Sequence, residues 1–234
     1  MNWKCKLALF VFSSFYGATA ANAAFVFYGR VDNAFSRLER STDGSDAFSL
    51  ISKSGINTHF DFAWHFNRTF ETALLLDYTQ HSYEGPTTRT LNEEDVAPFS
   101  AGLALRLNSQ YVSLFLNALH SQWVLIKDIS ATSHELEIYS TPLVQTGFSL
   151  QGKAHAYEMF VDLYLFGPLS PEDYENQAVQ MNYGLGAQGR VEFGRGSTRW
   201  GFHLRIDLSE IDNGDKLYTS STAYGGLFLR ILGR

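Results

Sequence analysis

Two histidine–carboxylate pairs stand out between residues 59 and 77. If the chain turns at 67–69 so that Phe66 meets Phe70, His59 comes to face Asp77 and His65 comes to face Glu71. A carboxylate opposite an imidazole can orient a general base or help hold a divalent metal. It can equally be a satisfied polar contact inside a wall. Nothing in this stretch supplies a nucleophile. Asn117, His120 and Ser121 offer an amide, an imidazole and a hydroxyl close together in sequence, the residue types of an acyl hydrolase. On a strand, however, Asn117 and Ser121 point one way and His120 the other. The three converge only if a bulge intervenes. No catalytic residue, metal site or cofactor is assigned from these patterns. The sole cysteine, Cys5, lies near the start of the chain, so thiolate chemistry has little to stand on.

The elements that must position these residues are strands. After Ala24 the apolar residues mostly alternate, and a period of two gives a ribbon with two different faces. In the second segment Ile56, Thr58, Phe60, Phe62, Trp64 and Phe66 point one way, and Asn57, His59, Asp61, Ala63 and His65 the other. The alternation predicts strands at about 25–38, 54–66, 70–82, 98–108, 111–126, 134–151, 154–166, 178–193, 198–209 and 219–232. Each is near the ~9–11 residues that cross a bilayer obliquely, or somewhat longer. Short connections (67–69, 109–110, 152–153, 194–197) alternate with long polar ones (39–53, 83–97, 127–133, 167–177, 210–218). Short inner turns and longer external loops are the asymmetry of a transmembrane β-barrel. The fold class expected is therefore all-β: an antiparallel transmembrane barrel of about ten strands in the cell outer membrane. Twelve strands would require splitting 111–126 and 134–151. Facing residues at the short turns pair Asn108 with Tyr111, Gln151 with Ala154 and Glu192 with Arg199, each inward with inward.

The start of the chain reads as a signal peptide over residues 1–23. Lys4 and Lys6 precede a short apolar run, Leu7 to Tyr16, and Ala21-Asn22-Ala23 forms a cleavage site. A single barrel domain, 24–234, follows. Without Lys4 and Lys6, sixteen basic residues remain against twenty-four acidic ones, a net charge of −8. That balance argues against nucleic acid as a partner. The expected partners are outer-membrane lipid and lipopolysaccharide, with small solutes or ions. The acidic runs Glu93-Glu94-Asp95 and Glu172-Asp173 could bind divalent cations beside lipopolysaccharide, although ordinary solvated loops carry such charges too.

Phe27-Tyr28-Gly29-Arg30-Val31-Asp32, and Ser54-Gly55-Ile56 with the aromatic alternation after it, resemble the first two strands of the general porin family. The resemblance implies a porin-like pore. General porins have sixteen strands, more than this chain can form, and usually end on an aromatic residue, unlike Leu232-Gly233-Arg234.

The face opposite the apolar one would line the lumen, and it is heavily charged. Arg30, Asp32, His59, Asp61, His65, Glu71, Asp77 and Arg106 come from the first half of the chain. Glu135, Glu137, Glu158, Asp162, Arg190, Glu192, Arg199, His203, Arg205, Asp207 and Arg230 complete the set. A bore of about ten strands is narrow enough for side chains nearly to fill it. Opposite charges must then pair, because an isolated buried ion costs several kcal/mol. The lumen reads either as an electrostatic plug or as a narrow watery path. Carboxylates outnumber arginines, so a path should prefer cations. Gly102, Gly147, Gly184 and Gly186 also face inward and leave room on the wall, and Phe115, Phe160 and Tyr164 are the inward rings. A hydrolase embedded in the barrel is the alternative to a channel or passive scaffold.

Overall fold

The computed structural model describes residues 24–42, 48–67, 69–85, 90–91, 94–130, 133–169, 173–174, 177–178, 180–194, 196–212, 214 and 216–233. The expected signal peptide, residues 1–23, lies outside them. Ten long strands form one antiparallel sheet closed on itself. They are β1 (Ala24–Thr42), β2 (Phe48–His65), β3 (Phe70–Glu84), β4 (Phe99–Asn108) and β5 (Val112–Ser130), then β6 (Ser133–Lys153), β7 (Tyr157–Pro168), β8 (Gln180–Phe193), β9 (Thr198–Asp212) and β10 (Lys216–Gly233). Each strand pairs with its neighbours in sequence, and β1 closes the barrel by pairing with β10 from Phe25↔Gly233 to Thr42↔Lys216. Segments 112–130 and 133–153 are single strands, so the twelve-strand alternative does not form.

The short turns are chemically specified. Asn67 Oδ1 accepts from the backbone N–H of Thr69 (2.8 Å) and of Phe70 (2.7 Å), a side chain standing in for a turn of backbone. Gly194 and Gly196 take positive φ, 106° and 83°, which side-chain-bearing residues adopt with strain. The hairpin at Asn67 has the expected register, with His59↔Asp77 and His65↔Glu71. The other three are displaced. Asn108 meets Ser113 rather than Tyr111, Glu192 meets Gly201 rather than Arg199, and the third turn lies at 154–156, with Lys153 opposite Glu158. Every displacement is an even number of residues. Inward side chains therefore stay inward, which is why polarity could assign the faces while leaving the turns loose.

Outward side chains form an apolar belt. Val31, Phe35, Ile56, Leu105, Leu114, Leu116, Leu165, Phe202, Leu204, Ile206 and Leu227 are all exposed. A continuous belt of this kind is stable against lipid, not water. Near the short turns it ends in touching rings: Phe25–Trp64 (6.1 Å), Phe66–Phe70 (5.7 Å), Tyr157–Phe193 (6.2 Å) and Phe193–Trp200 (5.2 Å).

The strands run on beyond this belt at the loop end, where the polarity of the two faces inverts. Outside stand ion pairs: Arg37–Glu39, Lys53–Glu94 (3.4 Å), Lys127–Glu135 (3.7 Å) and Lys127–Glu137 (3.5 Å). Inside is an apolar collar of Leu38, Phe48, Leu50, Tyr83, Val96, Leu125, Ile126, Leu136, Ile211 and Tyr218. Val96 reaches it from the loop between β3 and β4, where Asp95–Val96 adds two residues of pairing to β3. Glu135 and Glu137 therefore do not face the lumen. Along β6 the inward position changes from odd numbers (Thr141, Leu143) to even ones (Leu136, His134), and β5 changes with it. Glu93 and Glu172 lie outside the described residues.

Candidate pore lumen

The barrel encloses a cavity of about 710 Å³. It is lined from Val26, His65 and Leu232 at the turn end to Tyr83, Ile126 and Tyr218 at the loop end. Its wall has two unlike halves. Strands β7–β10 and β1–β3 carry most of the charge. Strands β4–β6 contribute Ser100, Ser113, Asn117, Ser121, Gln145, Ser149 and Gln151, with Arg106 as the exception. Asn117 donates to Gln145 (2.6 Å), and the Ser100 and Ser121 hydroxyls are 2.8 Å apart. His120 is exposed on the outer surface, away from both Asn117 and Ser121.

The charged half forms three groups. Asp77 is the hub of the first. His59 Nδ1 lies 3.1 Å from it, Asn57 donates to it at 2.7 Å, and Arg30 and Arg205 approach to 3.6 and 3.5 Å. Arg30 also pairs with Asp32 (2.7 Å), and Arg205 with Asp207 (2.5 Å). His203 sits between Asp32 (3.3 Å), Arg30 (3.2 Å) and Gln188 (3.2 Å), and Gln188 donates to Asp162. The Tyr164 hydroxyl donates to Asp207 (2.5 Å) and accepts from Arg205 Nε (3.1 Å).

The second group is Arg106, which donates to Asp61 and Glu71 at 2.5 Å each, with His65 3.1 Å from Glu71. In the third, Glu192 gathers Arg230 (3.2 Å), Arg199 (3.4 Å) and Arg190 (3.7 Å), while Glu158 holds Arg199 (2.6 Å) and Lys153 (3.1 Å). The structure thus joins the sequence-derived lumen candidates into mutually paired clusters. Asp32, Glu192 and His203 are buried in the wall behind the cavity surface.

Two guanidinium groups beside the His59–Asp77 pair repel a divalent cation, and among the described residues His59 is hydrogen-bonded to Asp77 alone. The inward glycines make room for rings and neighbouring backbone. A Cβ on Gly186 would stand 2.2 Å from the Tyr164 ring, and one on Gly147 would stand 2.2 Å from the Leu163 carbonyl oxygen.

A further group, unseen in the sequence, stands at the loop end. Asp128 pairs with Arg40, with His134 (2.7 Å) and with Lys216 (3.5 Å). The four residues come from β1, β5, β6 and β10, and three of those positions fall in stretches the alternation assigns to loops. Partial burial raises the Asp128 carboxyl's pKa, but hydrogen bonding and charge from Arg40, with Lys216 and His134, hold it below the usual range.

No family model matches the chain, and no curated protein matches it. Among solved structures, the outer membrane protease OmpT from Escherichia coli aligns over 89% of this chain and 96% of its own, with a TM-score of 0.53 and 6% identity. This chain has the outer-membrane β-barrel fold. The COG4313 outer membrane channel from Pseudomonas putida F1 aligns over 93% of this chain and 97% of its own, with a TM-score of 0.47 and 10% identity. Neisserial surface protein A aligns over 88% of this chain and 96% of its own, with a TM-score of 0.33 and 15% identity. At such identities the likeness concerns the fold of the barrel and not its activity.

Proposed function

We propose that this barrel is a narrow outer-membrane channel for small polar solutes or ions, restricted at its loop end by the apolar collar. The carrying observation is the cavity lined from turn end to loop end with one wall of uncharged hydroxyls and amides. The carboxylates and arginines across from that wall satisfy one another, so a solute need not break them to pass. The collar is a hydrophobic constriction of the kind that gates by dewetting.

Ion preference turns on depth rather than count. The composition predicts cations. Yet Arg106, Arg190, Arg199, Arg205 and Arg230 side chains are 21–29% exposed to the lumen, with Arg30 buried at 3%, whereas Asp32, Asp61, Glu71 and Glu192 are 0–9% exposed and Glu158 and Asp207 are 13% and 15%. The partly open Asp77 (22%) is ringed by three cationic or imidazole groups. The surface presented to a solute is therefore positive, which supports a modest preference for anions.

Leu125→Ser tests the channel. It places a hydroxyl in the collar, so conductance should rise several-fold. Ion flux unchanged from a silent native barrel would leave the passive scaffold, which the dense ion pairing favours. A hydrolase would instead lose an ester- or peptide-cleaving activity in His59→Ala while the barrel stayed folded.

A further inference from the structure

Arg190, Arg199 and Arg230 share a single buried carboxylate. Glu192 is 1% exposed and accepts from Arg230 at 3.2 Å and from Arg199 at 3.4 Å, which leaves Arg190 with only a 3.7 Å approach through Nε. Among the described residues, Arg190 makes no hydrogen bond to any side chain. Its guanidinium is instead stacked, 4.2 Å from the Phe160 ring centroid and 5.6 Å from that of Tyr28. Stacking fixes the plane of a guanidinium while leaving its N–H edges free for a planar oxyanion. Asp162 lies within electrostatic range, but Gln188 already donates to it. Arg106 reaches the same region from the opposite wall, within electrostatic range of Arg190. The register sets Phe160 opposite Arg190 and Gln151 opposite Phe160, with Ser149 opposite Asp162. Phe160 thus stands between Arg190 and Gln151, and the hydroxyl and amide groups line the wall two strands along from Arg190.

We propose that the turn-end half of the lumen is a binding station for a small hydroxylated oxyanion, a carboxylate or phosphate. Arg190 and Arg230 hold its charged end, and Ser149 and Gln151 receive its hydroxyls. The proposal deepens the channel reading and rests on it for transport, but the site itself does not need the channel to conduct. A cavity of about 710 Å³ is of the size that encloses a small organic ligand.

The test is calorimetric titration of the full barrel in detergent at low salt with glucuronate, inorganic phosphate and glucose, followed by bilayer recording with the same probes. The native barrel should bind an oxyanion at least tenfold more tightly than glucose. Glucuronate binding assigns a carboxylate, and phosphate binding assigns a phosphate. Arg190→Gln should weaken that binding about tenfold while keeping the heat resistance of the folded band, because this arginine holds no partner side chain by hydrogen bond. Arg230→Gln should weaken binding too, but with some loss of heat resistance, because Arg230 is the nearest partner of buried Glu192. Equal binding of glucose and glucuronate, or unchanged oxyanion affinity in both folded variants, overturns the site. Tenfold weaker binding in a barrel that never conducts supports the site and removes the channel.

Discussion

Glu192 is the carboxylate on which the most arginines depend. It is fully buried and its neighbours are three guanidinium groups. Removing one partner from a buried ion pair costs about 3–5 kcal/mol, because the remaining charge stays desolvated. Glu192→Ala should therefore lower the temperature at which the folded band is lost on gels, whereas Lys127→Ala, on the outer rim, should leave it within about 0.5 kcal/mol of the native barrel. Equal heat resistance in both would remove the network from the account of stability.

At the scale of strands, what alternation could reveal ended where its meaning reversed. In the membrane, Arg30 and Asp32 face inward and Val31 faces outward. Past Phe35 the same strand turns Arg37 and Glu39 outward and Leu38 inward. A pattern read as apolar-out loses its sign there, so β2 begins at Phe48 and β1 ends at Thr42, deep in what polarity assigns to a loop. The same reversal sent Glu135 and Glu137 to the wrong face. It also hid the Asp128 cluster, whose members come together only through barrel closure and long strands. His59–Asp77 was legible because a hairpin with a well-specified turn makes it a local contact. Arg30–His203, which spans β1 and β9, was not, because it depends on closure through β10. Orientation is tested by cysteine labelling in intact cells. A cysteine at Asp173, in the small hairpin Asp173–Tyr174 with Gln177–Ala178, should react with an impermeant maleimide, and one at Lys153 should not. The reverse pattern would invert the barrel.

As a whole molecule, the barrel is an apolar belt around a self-paired polar wall, with an apolar collar at one end. We propose that residues 1–23 act as a signal peptide for export and are cleaved after Ala23. Terminal sequencing of protein from the outer-membrane fraction should begin at Ala24, and an intact Met1 there would contradict it. Conduction through the lumen is what separates the two readings of its charged wall, plug and path. Recording from single refolded barrels in planar bilayers of potassium chloride addresses this directly. The account predicts brief, small, discrete steps in the native barrel, larger ones in Leu125→Ser, and a reversal potential that favours chloride modestly. A large steady conductance, a strong preference for potassium, or silence in both barrels despite a heat-resistant fold would contradict it.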